Sequence, residues 1–455
     1  GTLAGALLGD VRHDPFQSGA DLATPAHERV EPGAVHRANK GVLYIDEIRM
    51  LRMEEQQALL VAMQEKALSI SGRSERSSGA LTKSEPVPTD FILIAAGNLD
   101  SMQNMHPALR SRIRGYGYEV YVNTDMPDTE RNRRRLIRFI SQEVMNERKK
   151  TSGKPIPHFN LESIGLILKE AQRRSGRRGR LSLRLRELGG LVRIAGDLAV
   201  EENADITTAE HVIRARAIAK PLEQQVADRY LERQADYSMI VNKGERIGRV
   251  NGLAVLGADS GLSDYSGVVL PVEAMVTTAH GRSGQVIATG GLSDLAKESV
   301  TNISAVVKKL TGNDIKDFDI HVQFPGTHNV DGDSASITMA TAIISAFEGV
   351  PIEQNLAMTG SLSIRGEVLP IGGVSAKIEA AAKSGIETII IPRSNMQDVL
   401  IDEKYESMVT VIPVDSLDEV LKHALVASEQ KVSLVERLAL VIDTISNTAD
   451  TQPSA

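Results

Sequence analysis

Hydrophobic positions along this chain follow two periods. A short apolar run, Gly41-Val42-Leu43-Tyr44-Ile45, ends in Asp46-Glu47-Ile48, and a second, Phe91-Ile92-Leu93-Ile94-Ala95-Ala96, ends in Gly97-Asn98. Runs of this length predict buried strands of a parallel α/β sheet, whose ligand crevice lies at the carboxyl ends. From about residue 126 to 222 the period becomes helical, with Leu136, Ile137 and Ile140 on one face of one segment and Leu161, Ile164 and Leu168 on one face of the next. The pattern fades between Lys220 and Asp236, where Leu222-Glu223-Gln224-Gln225 reads as a polar connection. Beyond it, alternation over 247–255 and 267–272 predicts strands. Helical spacing over 295–310, 335–347, 374–382 and 432–445 predicts helices, the last followed by a disordered polar tail. The serine-, glycine- and charge-rich stretch from Ser71 to Lys83 reads as a hairpin tip or loop. The expected organisation is an α/β domain over 1–125, a helical domain over 126–222, a linker over 223–240, an α+β domain over 241–430, and a C-terminal helix and tail over 431–455.

With 455 residues the chain is long enough for several domains with adequate cores. It begins with glycine, which suggests a cut or processed end with further sequence upstream. The absence of cysteine excludes disulfides and thiolate metal sites and fits a reducing cytoplasm. A net charge of −7 and the lack of a long apolar run make this portion neither a membrane span nor a general polyanion binder. His27, Glu28 and His36 lack zinc-protease spacing. The basic stretch from Arg173 to Arg186 is the one candidate for nucleic-acid binding.

Two residues carry the most chemistry. Ser334 lies in Asp331-Gly332-Asp333-Ser334-Ala335-Ser336, and Lys377 in Gly372-Gly373-Val374-Ser375-Ala376-Lys377. A serine at a helix start is usually only a cap, and a lone lysine is usually solvated. As a pair they have the makings of a nucleophile and its base, because a serine hydroxyl needs its proton removed and a lysine can remove it only as a neutral amine. Bringing a lysine from about 10.4 to about 7–8 takes about 4 kcal/mol, which burial can supply. Val374, Ile378, Ala381 and Ala382 beside Lys377 suit such a pocket, and Gly372-Gly373 allow a tight turn into the helix. Ser334 would open its own helix, where backbone N–H groups can stabilise an oxyanion.

These segments, with Met358-Thr359-Gly360, Arg365-Gly366-Glu367-Val368-Leu369-Pro370-Ile371-Gly372-Gly373 and Ile389-Ile390-Ile391-Pro392, resemble in order the proteolytic domain of the Lon proteases over roughly residues 240 to 430. The resemblance implies that Ser334 attacks the scissile carbonyl, that Lys377 is general base and then general acid, and that Thr359 orients the lysine amine. Asp333 stands where the familiar bacterial branch has proline, and together with Asp331 the pattern is similar to the archaeal, membrane-anchored B type. Asp331 has two readings. It could pair with Lys377, which would raise the amine's pKa and hold a resting state, or it could shape the turn.

The front half resembles AAA+ ATPases. Asp46 and Glu47 look like a Walker B pair, with Asp46 toward Mg²⁺ and Glu47 polarising the attacking water. Asn98 resembles sensor 1. Pro107-Ala108-Leu109-Arg110-Ser111-Arg112-Ile113-Arg114 resembles the arginine-finger segment, with Arg112 reaching the neighbouring subunit's nucleotide. Leu183-Arg184-Leu185-Arg186-Glu187-Leu188 resembles sensor 2, with Arg184 ahead of Arg186. No G-x-x-x-x-G-K-[ST] segment occurs, so the P-loop is missing, and a fragment of a longer B-type protein is the expectation. Phe16 is either a pore aromatic or a residue tucked onto its own domain.

The resemblance thus implies a multidomain α/β plus α+β protein: a partial AAA+ domain, a small helical lid and a Lon-type α+β proteolytic domain. The implied function is an ATP- and Mg²⁺-dependent serine endopeptidase that degrades unfolded proteins inside a homo-hexameric chamber. It would lie on the cytoplasmic face of the cell membrane, anchored by a segment absent here, with no nucleic acid as partner. The alternative is a remodelling or DNA-repair ATPase whose Lon-like domain only binds partners.

Overall fold

The computed structural model describes residues 4–11, 29–71, 83–98, 105–150, 154–237, 239–256, 266–279, 286–289, 318–325 and 333–449. It forms two compact units, Gly1–Val122 and Asn123–Ala455. Asp331, Phe16, the helix expected over 295–310, the tip of the 71–83 hairpin and the polar tail lie outside the described residues.

In the first unit, β1 (Val42–Ile45), α1 (Met53–Glu65), β2 (Ile92–Ala95) and α2 (Pro107–Tyr116) follow one another. β1 and β2 pair in parallel with Ile45 opposite Ala95. Leu43 and Ile45 pack with Ile48, Leu59, Ala62 and Leu109 in a small core. The expectation that both strands are buried is corrected here, because Val42, Tyr44, Ile92 and Ile94 are exposed. Apolar residues on both faces are the composition of a sheet covered on both sides, and the packing seen here covers one.

The second unit opens with a helical lid: α3 (Glu130–Lys150), α4 (Leu161–Ser175), β3 (Arg180–Ser182), α5 (Leu185–Glu201) and α6 (Ala209–Ile218). The Asn160 side chain caps α4 by accepting from the Ser163 N–H at 2.9 Å, and Gly176, at φ 66°, ends that helix in the left-handed conformation. Ile140, Ile167, Leu191, Val192 and Val212 make the lid core. Leu161, expected on the buried face, is exposed because it opens the helix before the packed turns begin.

Residues assigned to a linker instead form α7 (Leu222–Asp236). Ala227, Leu231 and Gln234 are buried at helical spacing, and the Gln234 side-chain amide donates to the Val269 carbonyl at 3.1 Å. Three buried residues among many polar ones gave too weak a period to read.

A seven-stranded mixed sheet follows. Its strands are β4 (Arg249–Leu256), β5 (Ser266–Thr278), β6 (Val286–Thr289), β7 (Phe318–Gln323), β8 (Leu356–Met358), β9 (Thr388–Pro392) and β10 (Thr410–Val414), in spatial order β6-β7-β5-β4-β8-β9-β10. Its helices are α8 (Ser336–Glu348), α9 (Val374–Lys383), α10 (Leu417–Ala424) and α11 (Glu429–Ala449). Strand alternation sorts the core into two layers. Val268, Leu270, Val272 and Ile390 pack with Ile337, Ile343, Val420 and Leu434 from α8, α10 and α11. Val269, Leu253, Ile389 and Ile391 pack on the other face with Ile378 and Ala381 of α9 and Leu231 of α7. Among the described residues no helix is long and apolar enough to cross a membrane.

Candidate active site

α8 and α9 cover opposite faces of the sheet, and Thr359, just past the carboxyl end of β8 between them, touches both Ser334 and Lys377. Met358 ends β8, and the next two residues join the parts. The Thr359 N–H donates to the Ile390 carbonyl at 3.1 Å, and the Gly360 N–H donates to the Ser334 carbonyl at 2.8 Å. Thr359 Oγ1 also donates to the Ser334 carbonyl, at 3.1 Å, and accepts from Lys377 Nζ at 3.1 Å. A hydroxyl has one proton to give. With that proton committed to the carbonyl, the lysine must be the donor to Thr359, which leaves the lone pair of a neutral amine free for another proton. Among the described residues Ser334 Oγ makes no hydrogen bond, and the residue is half-buried at the edge of a cleft of about 700 Å³.

Lys377 is 1% exposed on the first turn of α9, which Gly373 enters at φ 69°. Burial drives its pKa down to about 7, and the nearby Asp333 carboxylate partly opposes this. Asp333 is held by Ser361, whose hydroxyl donates to the carboxylate at 2.6 Å. The carboxylate that acts on the lysine among the described residues is thus Asp333; Asp331, for which the sequence left both a pairing with Lys377 and a turn-shaping part open, lies outside them. Ser361 was missed altogether, although it stands two positions after Thr359.

Gly267 in β5 was also missed as a site residue. A Cβ there would lie 2.0 Å from the Ala376 carbonyl oxygen and 2.9 Å from the Lys377 nitrogen, so α9 approaches the sheet through the space glycine leaves. A glycine inside a strand pattern is the available signal for such an approach.

In the first unit, the parallel register brings Asp46, Glu47 and Asn98 to one end of the strand pair. Asp46 Oδ1 accepts from the Glu47 N–H at 3.0 Å. Glu47 itself is left-handed, at φ 50°, a conformation that costs a non-glycine residue energy and recurs at functional sites. The Arg49 guanidinium lies 3.2 Å from its carboxylate. Arg112, on α2, stacks its guanidinium 4.0 Å from the centre of the Tyr116 ring. Arg184 belongs to the second unit. It precedes α5 and lines a cavity of about 390 Å³ between the lid and α9, while Arg186 is exposed.

The arginines of the stretch from Arg173 to Arg186 differ in their partners. Burial pushes the carboxyl of Glu170 up, but Arg173, Arg216 and Arg174 outweigh it and hold the group at about 2. Their closest approaches are 3.0, 3.3 and 2.8 Å respectively. Arg180 pairs with Asp125. These arginines neutralise the protein's own acids. Arg216 also reaches Asp402 at 3.0 Å, and the Arg178 N–H donates to the Gln397 carbonyl at 2.9 Å, so the lid is joined to the sheet-bearing part.

Residues 222–427 match the model of the Lon protease (S16) C-terminal proteolytic domain, and residues 158–220 match that of the archaeal LonB AAA+ ATPase lid domain. Residues 18–110 match the sigma-54 interaction domain. Among curated proteins, the archaeal Lon protease of Thermoplasma volcanium is 57% identical over 97% of this chain and 67% of its own length. That of Archaeoglobus fulgidus is 57% identical over 96% of this chain and 69% of its own. The protein of the same name from Methanocaldococcus jannaschii is 36% identical over 91% of this chain and 66% of its own. The expected architecture of α/β unit, helical lid and Lon-type proteolytic domain stands, and with this identity over nearly its whole length the chain belongs to the archaeal Lon protease family.

Proposed function

We propose that the chain is the proteolytic and partial motor portion of an ATP-dependent endopeptidase in which Ser334 is the nucleophile and Lys377 its base. The observation that carries this reading is the buried lysine, shifted to about 7 and donating to Thr359. The neutral amine takes the Ser334 Oγ proton as the oxygen attacks the scissile carbonyl. Lys377 then delivers that proton to the departing amine, and water resolves the acyl ester with the roles reversed. The Ser336 and Ile337 N–H groups are already bound to the Asp333 and Gly360 carbonyls. Those of Ser334 and Ala335 carry no hydrogen bond among the described residues and are the donors we assign to the oxyanion.

ATP with Mg²⁺ would supply the energy for unfolding substrates. Asp46 and Glu47, with Asn98 beside them, have the carboxylate and amide chemistry to hold a magnesium-bound phosphate. Arg112 would act in trans and Arg184 as sensor 2. The chain has no G-x-x-x-x-G-K-[ST] cradle, so its own residues make only part of that site. A trans-acting arginine favours a ring, and we propose the homo-hexamer whose chamber holds the serines. A domain that only binds partners has no use for a desolvated lysine beside a serine, which disfavours the remodelling alternative.

The test is the pH dependence of cleavage of a short unstructured fluorogenic peptide without ATP. A base near 7 is about one-eleventh neutral at pH 6 and about ten-elevenths neutral at pH 8, so kcat/KM should rise roughly tenfold through a single ionisation. Asp333→Asn removes the charge that raises the amine's pKa, so its midpoint should move to lower pH. A profile flat from pH 6 to 8 would remove Lys377 as the base.

Thr359→Val keeps the shape but deletes both hydrogen bonds. The expected result is a fall of about 10–100-fold in kcat with KM little changed, largely rescued in Thr359→Ser. Equal kcat in the valine variant would mean that the amine is oriented by something else.

A further inference from the structure

The lid contributes a wall to the proteolytic cleft. The turn between α4 and β3, closed by Gly176 and Gly179 at φ 66° and 75°, carries Arg177 and Arg178, and both line the cleft at whose edge Ser334 lies. The turn is held in place. The Arg178 N–H donates to the Gln397 carbonyl, on the 3₁₀ turn Arg393–Asp398. Buried Asn395 in that turn accepts from the Ile371 N–H at 2.8 Å and donates to the Ile371 carbonyl at 2.9 Å. Ile371 leads directly into α9 and Lys377, so the two arginines and the base are carried on one connected frame.

The charges in the cleft are unevenly committed. Arg180 is paired with Asp125, Asp333 accepts from Ser361, and Asp398 accepts from the Asn395 side chain at 3.1 Å. The guanidinium groups of Arg177 and Arg178 are exposed and make no ion pair or side-chain hydrogen bond among the described residues. Asp333 and Asp398 keep their negative charges, so what sets the two arginines apart is unused donors: theirs are the guanidinium groups of the cleft with no partner among the described residues, and guanidinium presents paired donors that match a carboxylate.

We infer that Arg177 and Arg178 are specificity-determining residues that select peptides carrying a carboxylate near the scissile bond. The inference rests on Ser334 being the nucleophile, as proposed above. The carboxylate has two sources, an acidic side chain or the free C-terminus of a short product being trimmed further, and both present the same chemistry to the arginines.

The experiment compares kcat/KM in the full-length protein for matched fluorogenic peptides. One set bears Glu, Gln or Lys at successive positions around the cleaved bond, and the other ends in a free acid or an amide. They are read in the parent, in Arg177→Gln/Arg178→Gln, in Arg177→Glu/Arg178→Glu and in Ser334→Ala. Expected is a three- to tenfold preference of the parent for the carboxylate member of at least one pair, shrinking as salt rises. That ratio should collapse toward one in the glutamine variant and invert toward lysine peptides in the glutamate variant, an inversion that loss of structure cannot produce. A side-chain effect in the first set or an acid-over-amide effect in the second tells which source is read. A parental ratio near one, or a ratio unchanged in both double variants while cleavage still requires Ser334, overturns this inference alone. Cleavage that persists in Ser334→Ala removes the dyad, and this inference with it.

Discussion

Ser334→Ala and Lys377→Met are each expected to lower ATP-independent peptide cleavage by at least about 10³-fold, because either change removes one half of a unit that works only as a pair. The two proteins should part company in stability. Ser334 is half-buried and its hydroxyl makes no hydrogen bond among the described residues, so its loss should change stability by less than about 0.5 kcal/mol. Lys377 is held near 7 by burial, far below an unfolded lysine at about 10.4. Between those values the unfolded chain binds more protons than the folded one, so folding stability rises with pH across that window. The penalty is fully present at and below pH 7 and fades as pH climbs toward 10.4. Methionine fills nearly the same space without a charge to desolvate. Lys377→Met should therefore be more stable than the parent by on the order of 4 kcal/mol near pH 7, with the gain shrinking at pH 9 to 10. Denaturation curves at pH 7 and pH 9.5 beside the cleavage assay decide the matter. An inactive variant that is less stable at pH 7 would show that the lysine does not bear the burial cost argued here, and an active one would end its role as base.

Gly267→Ala is expected to abolish cleavage by about 10²-fold or more from a position that touches no substrate. The new Cβ would meet the Ala376 carbonyl oxygen at 2.0 Å and its carbon at 2.5 Å. Backbone atoms cannot step aside as a side chain does, so either the first turn of α9 lifts off the sheet or β5 bends away. A shift of about 1 Å in a catalytic group is enough for such a loss. Overpacking of this kind should also cost about 1–3 kcal/mol in stability. Gly165→Ala is the control, since that lid glycine lies inside α4 with no atom within 4 Å of the added Cβ. Helix propensity makes it neutral or stabilising, by up to about 1 kcal/mol. Normal kcat in Gly267→Ala would show that the lysine's position tolerates a displaced helix start.

Much of the fold could be read from periodicity because burial repeats within each element. Residues 247–255 and 267–272 alternate; the second stretch lies in β5, and the first, apart from a turn at 247–248, lies in β4. Residues 335–347 and 432–445 have helical spacing, and they lie at α8 and within α11. Reading failed where the pattern was diluted or its context was missing. α7 hides three buried positions among polar ones. The strands β1 and β2 look buried on both faces because their composition suits a sheet covered on both sides, while the described packing leaves one face open.

The candidate site divides in the same way. Ser334, Thr359 and Lys377 were legible because each sits in a distinctive local motif. Ser361, Gly267 and the two lid arginines were not, since nothing in a window around any of them mentions Asp333, Ala376 or the Ser334 cleft.

By itself, then, the sequence determined most element types outside α7, the family and the residue types able to do the chemistry, because these depend on neighbours a few positions away along the chain. Only the tertiary structure decided that Lys377 is desolvated, that Thr359 spends its one proton on the Ser334 carbonyl, that Asp333 is the carboxylate acting on the lysine among the described residues, and that Arg177 and Arg178 line the same cleft as Ser334. Desolvation, hydrogen-bond direction and charge proximity are set by groups far apart in sequence, and they come into being only when the sheet and the helices on its two faces close around them.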